Sequence, residues 1–238
     1  MASHLRKPLT VAVTQPPCAP YDVTTNALRN AAVVRNAAAR VVAFPELSLT
    51  GYELDASAIT PEDRRLLPLV EACAATGSVA LAGAPLAGEA SASHLAMLAV
   101  DGNGASVAYR KVNLAAAEAC RFTAGSEPVA IQVDGWRLGL AICRDTGIAH
   151  HVAATAALGI DLYVAAILHS ADEGRVQEER ARRIAADHRV WVALASFAGS
   201  TGGGYDHASG RSGVWAPDGA VVAQAGPEPG AIIHATLS

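Results

Sequence analysis

Unbroken apolar runs of six to eight residues recur along this chain, and between them apolar residues return every three or four positions. The runs predict core strands, and the intervening spacing predicts helices that cover them. LTVAVTQ (9–15) reads as the first strand, stopped by Pro16-Pro17, and RVVAF (40–44) as the second. Between them Ala27, Ala31, Val34 and Ala38 share one helical face, with Thr24 or Thr25 as cap. A second helix is expected over 61–75, opening on Pro-Glu-Asp, and strands follow near 78–83, 94–100 and 105–110. WRLGLAIC (136–143) reads as a strand with Cys143 at its last position, then a helix over 149–158 that Gly159 ends. DLYVAAIL (161–168) and VWVALASF (190–197) are further core strands on either side of a charged, exposed helix over 171–189. A flexible loop spans 198–210, and two or three strands close the chain around a Pro217-Asp218-Gly219 turn. Helices and strands alternate first and consecutive strands accumulate later, with no internal repeat and no long linker. The expectation is one α/β domain over 1–238, with helices covering two packed sheets.

Composition narrows the function. At 51% hydrophobic, 17% charged and a formal net charge of −4, the 238-residue chain has the profile of a globular protein without a basic stripe for nucleic acid. No stretch approaches the length of a membrane span, and MASHLRKPLTVAV does not read as a signal peptide. Four irregularly spaced cysteines (Cys18, Cys73, Cys120, Cys143) are expected to be free thiols, and the expected compartment is the cytoplasm.

Three stretches place polar groups where apolar runs stop. Glu46 follows RVVAF on a proline-stiffened turn, Lys111 follows VAY with Glu118 seven residues later, and Cys143 ends its strand before Arg144-Asp145. A carboxylate, an ammonium and a thiol are the parts of acyl transfer through a thioester. The carboxylate takes the thiol proton, the cation favours thiolate and oxyanion, and sulfur attacks. Each group alone also fits a bland role, as a solvated loop charge or a packed thiol.

The order FPELSLTGY, YRKVNL…E..RF..G and GLAICRD resembles the carbon–nitrogen hydrolase (nitrilase) superfamily, over nearly the whole chain. The resemblance implies a four-layer α-β-β-α sandwich and assembly into dimers or larger homo-oligomers. It also implies a Glu–Lys–Cys triad with Glu46 as general base, Lys111 as oxyanion-stabilising cation and Cys143 as nucleophile. Glu118 would position Lys111 and the substrate, and the Arg144 amide would be a second oxyanion donor. No cofactor and no metal is implied. The expected activity is hydrolysis of a small-molecule amide. Acyl transfer, nitrile hydrolysis or a silent binding protein on the same fold remain open alternatives.

The pattern departs from many relatives after the cysteine. Ile148-Ala149-His150 stands where they have an aromatic-Pro-Glu segment, and Asp187-His188 where they have Glu-Asn. Arg144-Asp145, in place of the Trp-Glu typical of nitrile-cleaving relatives, and the absence of their longer C-terminal extension favour an amide. Arg144 and His169 are candidate pocket residues for a polar or carboxylate-bearing amide. His150 and His151 point about 100° apart on a helix and cannot share one metal, and no HExxH or CxxC spacing occurs. Gly202-Gly203-Gly204 lacks a Walker lysine, so it reads as part of a loop at the pocket mouth.

Overall fold

The longest apolar runs are strands covered on both faces, and this sets the layering. A computed structural model describes residues 6–89 and 92–238, which leaves residues 1–5 of the opening segment outside the described residues. One six-stranded sheet contains β1 (Leu9–Thr14), β2 (Val41–Ala43), β3 (Val79–Ala87), β4 (Ser93–Asp101), β5 (Gly104–Arg110) and β14 (Ile232–Leu237), in the order β14-β1-β2-β3-β4-β5. The other contains β6 (Val129–Val133), β7 (Trp136–Ile142), β8 (Leu162–Ile167), β9 (Trp191–Ser196), β12 (Gly213–Trp215) and β13 (Val221–Gln224), in the order β13-β12-β9-β8-β7-β6. β1, β2 and β3 are parallel, as are β7, β8 and β9, and antiparallel strands flank each trio. A two-stranded piece, β10 (Ala198–Gly199) with β11 (Ala208–Ser209), lies within the expected 198–210 loop.

Alternate residues of each central strand serve different layers. Val11, Val13, Val41 and Ala43 meet Leu138, Leu140, Ile142, Val164 and Ala193 between the sheets. Ala12, Val42, Ala80 and Ala82 face α1 (Val23–Ala37) and α2 (Leu67–Thr76), while Tyr163, Ala165, Val192 and Leu194 face α4 (Ala149–Ala156) and α5 (Gly174–His188). With both faces buried, period-two polarity disappears, which is why these strands read as continuous apolar runs. The result is the expected α-β-β-α sandwich. Small residues keep its layers close. A Cβ on Gly139 of β7 would lie 2.6 Å from Thr155 Cγ2 and 2.8 Å from Ile160 Cδ1. Among the described residues, no helix is long and apolar enough to cross a membrane.

Several local expectations shift. Helix α1 is capped by Asp22, whose Oδ1 accepts from the Thr25 amide at 2.9 Å, and not by Thr24 or Thr25. Ala37 is the buried residue at its end, whereas Ala38 is exposed in a left-handed conformation. The second helix starts at Leu67, with Pro68 in its first turn, where a missing N–H costs nothing. Asp63 caps only a short 3₁₀ turn over Arg64–Leu66. β6 lies outside the expected strands although four of its five residues are apolar; the run is short, and only Val133 is buried. Helix α5 is not exposed all round: Gly174, Gln177, Ala181, Ile184 and Ala185 form a narrow buried stripe. The short helix α3 (Ala116–Ala119) has no counterpart in the sequence reading.

Replacing Gly139 with valine is expected to destabilise the fold by about 1–3 kcal/mol through overpacking against α4, read as a lowered urea midpoint at unchanged slope. An unchanged midpoint would mean that α4 does not approach β7 this closely.

Candidate active site

The carboxyl ends of β2, β7 and β8 lie at the same edge of the two packed sheets, and β5, parallel in direction to β3, ends there too. Groups that follow these strands are therefore brought together despite long separations in sequence. Glu46 follows β2, Lys111 follows β5, Cys143 follows β7 and His169 lies just beyond β8.

Lys111 Nζ donates to Glu46 Oε1 and to Glu118 Oε1, each at 2.7 Å, and all three side chains are 1% exposed. The two carboxylates are held differently. Glu118 Oε1 also accepts from the Tyr52 hydroxyl at 2.7 Å, and Oε2 accepts from the Ala115 amide at 2.7 Å, so α3 exists to hold this side chain. Glu46 Oε2, by contrast, is buried with no hydrogen-bond partner. The Lys111 backbone is itself clamped, its amide donating to Leu95 O and its carbonyl accepting from the Gly125 amide, both at 2.8 Å.

The Glu46 loop depends on a glycine in β3. A Cβ on Gly83 would overlap the Leu47 amide nitrogen, and Leu47 itself has φ +52°. The loop is stitched down there, with Leu49 N donating to Gly83 O at 3.0 Å and Gly83 N donating to Ser48 Oγ at 3.2 Å.

Cys143 is one residue beyond β7, not at its last position. It opens a 3₁₀ turn over Cys143–Gly147 with φ +42°, a region that L-residues enter only under constraint. Asp145 supplies the constraint. This fully buried carboxylate accepts from Ile142 N at 3.0 Å and the Tyr109 hydroxyl at 2.8 Å through Oδ2. Its Oδ1 accepts from Asn113 N and Asn113 Nδ2, both at 2.9 Å. One side chain thus fastens the Cys143 turn to the segment on either side of Lys111. His151 joins the cluster through Nε2, 2.9 Å from the Tyr109 oxygen; because the hydroxyl donates to Asp145, Nε2 is the donor. Burial lowers the His151 pKa, so the ring is neutral and structural, and the neighbouring His150 is exposed.

The half-buried Cys143 thiol donates to the Leu168 carbonyl at 3.2 Å. Its pKa is raised, first by burial and then by the Glu46 carboxylate, and Lys111 does not offset them. The resting sulfur is a thiol, which corrects the expectation of a lysine-enriched thiolate. Burial also pushes the Glu46 carboxyl up to about 7, against the lowering effect of Lys111. Burial alone would lower the Lys111 pKa, but Glu46, Cys143 and Glu118 hold it above its ordinary value, so the ammonium stays charged.

The glycine run over 202–204 is a close approach to the Glu46 loop. A Cβ on Gly203 would overlap the Tyr52 carbonyl, and Tyr52 N donates to Thr201 O at 2.8 Å. Tyr205 stacks edge-on against Tyr52 at 5.3 Å between ring centroids, so this loop covers the residues around Glu118. Among the described residues, no group of three His, Cys, Asp or Glu side chains is arranged to hold a metal ion.

Glu46, Lys111, Glu118 and Cys143 are brought to one place, and His169 is beside them. Arg144, next to the nucleophile, is exposed. Sequence reasoning missed Tyr52, Tyr109 and Asp145, all three inside the motif stretches but unmarked by spacing.

Comparison with known proteins agrees with this fold. The family model described as carbon-nitrogen hydrolase matches residues 10–238. A curated protein of Pseudomonas protegens, "Hydrolase in pqqF 5'region", is 27% identical over 239 residues, covering 95% of this chain and 82% of the relative. Saccharomyces cerevisiae Nit3, described as a member of branch 10 of the nitrilase superfamily, superposes with a TM-score of 0.87 at 23% identity, over 98% of this chain and 90% of that one. The amidase of Nesterenkonia sp. AN1, in a variant carrying the Michael adduct of acrylamide on its active-site cysteine, gives 0.86 at 23% identity, over 97% and 93%. With its fold, its gathered side chains and a family match over almost its full length, this chain belongs to the carbon–nitrogen hydrolase family.

Proposed function

We propose that this enzyme hydrolyses the C–N bond of a small-molecule amide through a thioester on Cys143. The observation that carries this reading is the unpartnered Glu46 Oε2, a buried acceptor beside a protonated thiol and a fixed ammonium. Glu46, with its pKa near 7, is matched to moving a proton at neutral pH. It takes the Cys143 proton as Sγ attacks the amide carbon, and the C=O electron pair moves onto oxygen. Lys111 Nζ and the Arg144 amide, one of the first N–H groups of a helical turn and so outside its internal bonding, stabilise that oxyanion. Glu46 then protonates the departing nitrogen, the C–N bond breaks and ammonia or an amine leaves a Cys143 thioester. Water, deprotonated by Glu46, attacks the thioester, the acid departs and the thiol is restored. Glu118, which accepts from Lys111 Nζ at 2.7 Å, aims the ammonium. A Nesterenkonia amidase relative has been obtained with butyramide bound, which fits a substrate of this class.

Lys111→Ala is expected to abolish measurable turnover, since an oxyanion donor is worth about 2.7–4 kcal/mol and the substitution also unpairs two buried carboxylates. Ammonia release from matched aliphatic amides and nitriles measures both this and the reaction class. Faster turnover of the nitriles, or near-normal turnover by Lys111→Ala, would contradict the mechanism.

The pH dependence follows from the Glu46 shift. Below about pH 7 Glu46 is protonated and cannot accept the thiol proton; above it the carboxylate can. The rate of Cys143 alkylation by iodoacetamide, followed by peptide mapping to separate it from the exposed Cys120, should therefore rise through about pH 7. Glu46→Gln should remove that inflection and leave only an alkaline rise. A single rise near the ordinary thiol pKa of about 8.5 in both proteins would show that Glu46 is not the base.

A further inference from the structure

The organic part of a substrate that reaches Cys143 has little room on the side of the charged groups. Glu46 and Lys111 are each 1% exposed, whereas Cys143 is half-buried. Beside the thiol is Leu168, whose carbonyl accepts from Sγ. Tyr52 and Tyr205 pack against the small apolar cluster of Leu168, Phe197 and Ala208. The two phenol rings meet edge-on, 5.3 Å apart between centroids, and Tyr52 spends its hydroxyl on Glu118 Oε1. Tyr205 is half-buried between the exposed pairs Gly203-Gly204 and Asp206-His207, so it is the side chain that this stretch turns inward. Burial raises its pKa first, then Cys143, then Glu173 on the exposed rim, then Glu46 and Glu118. The phenol therefore stands between the rim and the nucleophile.

Its position is fixed from both ends. The turn before it is closed by Tyr205 N, which donates to Gly202 O at 2.9 Å, and by Thr201 N, which donates to Tyr205 O at 3.0 Å. The tip rests on the Glu46 loop, where Tyr52 N donates to Thr201 O at 2.8 Å and a Cβ on Gly202 would overlap Glu53 Oε1. The base is bound to the segment that follows β8: Ala171 N donates to His207 O and Ser209 N to His169 O, both at 2.9 Å. These are the segments that supply Glu46 and the acceptor of the Cys143 thiol. A turn tied to both is a fixed wall and not a swinging cover.

We propose that Tyr205 is a specificity-determining residue, its ring limiting how far the acyl chain of the substrate extends beyond the scissile carbon. The departing nitrogen lies toward the sealed Glu46, so the chain runs past Leu168 to the aromatic pair. That wall presents apolar carbon, and the substrate class is an amide with a short, unbranched, apolar acyl group. The assignment rests on the amidase reading above, and one of its two measurements needs no turnover.

The first measurement is the ratio of kcat/KM for propanamide to that for hexanamide, read as ammonia release. The second is the ratio of Cys143 alkylation rates by 2-bromopropanamide and 2-bromohexanamide. Both reagents are secondary bromides, from which sulfur displaces bromide, and the exposed Cys120 in the same peptide map gives their intrinsic ratio. The wild-type enzyme is expected to favour the shorter member of each pair by about ten- to two-hundredfold, the range for surplus methylenes at a closed apolar pocket. Tyr205→Ala should bring both ratios toward one, Tyr205→Leu should relax them in part, and Tyr205→Trp should sharpen them. No preference in the wild type, ratios that survive both Tyr205→Ala and Tyr205→Leu, or a Tyr205→Ala enzyme altered equally on long and short members overturns the assignment. Alkylation ratios that relax as expected while no amide releases ammonia would uphold the wall and overturn the hydrolytic reading.

Discussion

A buried ammonium shared by two buried carboxylates is the interaction around which this protein is arranged. Each ion withdrawn from water costs several kcal/mol, so the group of Lys111, Glu46 and Glu118 is tolerable only with short, well-aimed contacts. The 2.7 Å bonds from Nζ to both glutamates provide them. The protein then breaks the symmetry between the carboxylates. Glu118 has both oxygens occupied by Lys111, Tyr52 and the Ala115 amide, whereas Glu46 keeps one oxygen free. A saturated carboxylate can only hold its neighbour in place. An unsaturated one, with its pKa carried to about 7, is able to exchange a proton.

The sandwich makes that cluster affordable. Two sheets packed face to face bring the ends of β2, β5 and β7 to one edge, so each charged group is carried by a rigid strand terminus. Local devices then set the fine geometry. Gly83 lets the Glu46 loop rest on β3, and Asp145 holds Cys143 in a left-handed conformation while gripping the segment that bears Lys111. Two of the non-glycine residues with positive φ, Leu47 and Cys143, stand at this site.

Much of this was legible in the chain. Strands buried on two faces betray themselves as runs such as DLYVAAIL, and Glu46, Lys111 and Cys143 stand out because polarity changes abruptly where such runs stop. β6 was passed over although four of its five residues are apolar, because a run of five at a sheet edge is too short to show a period. The charge-rich 171–189 stretch suggested an exposed helix, and its buried stripe was hidden among the arginines. Arg180 belongs to that stretch, and nothing in its spacing distinguishes it from Arg182 or Arg183. Its approach to Gly147, 33 positions earlier, is visible only in the packing of α5 against the Cys143 turn. Arg144 drew attention by adjacency to the nucleophile, and it is exposed.

The most direct test of the Glu46–Lys111–Cys143 chemistry is the intact mass of the enzyme, acid-quenched during turnover of a slow aliphatic amide and mapped by peptide digestion. The expected result is a mass gain equal to the acyl group alone, carried on Cys143 and discharged when turnover ends. Ammonia release with no adduct at any time, or an adduct on Cys18, Cys73 or Cys120, would contradict it.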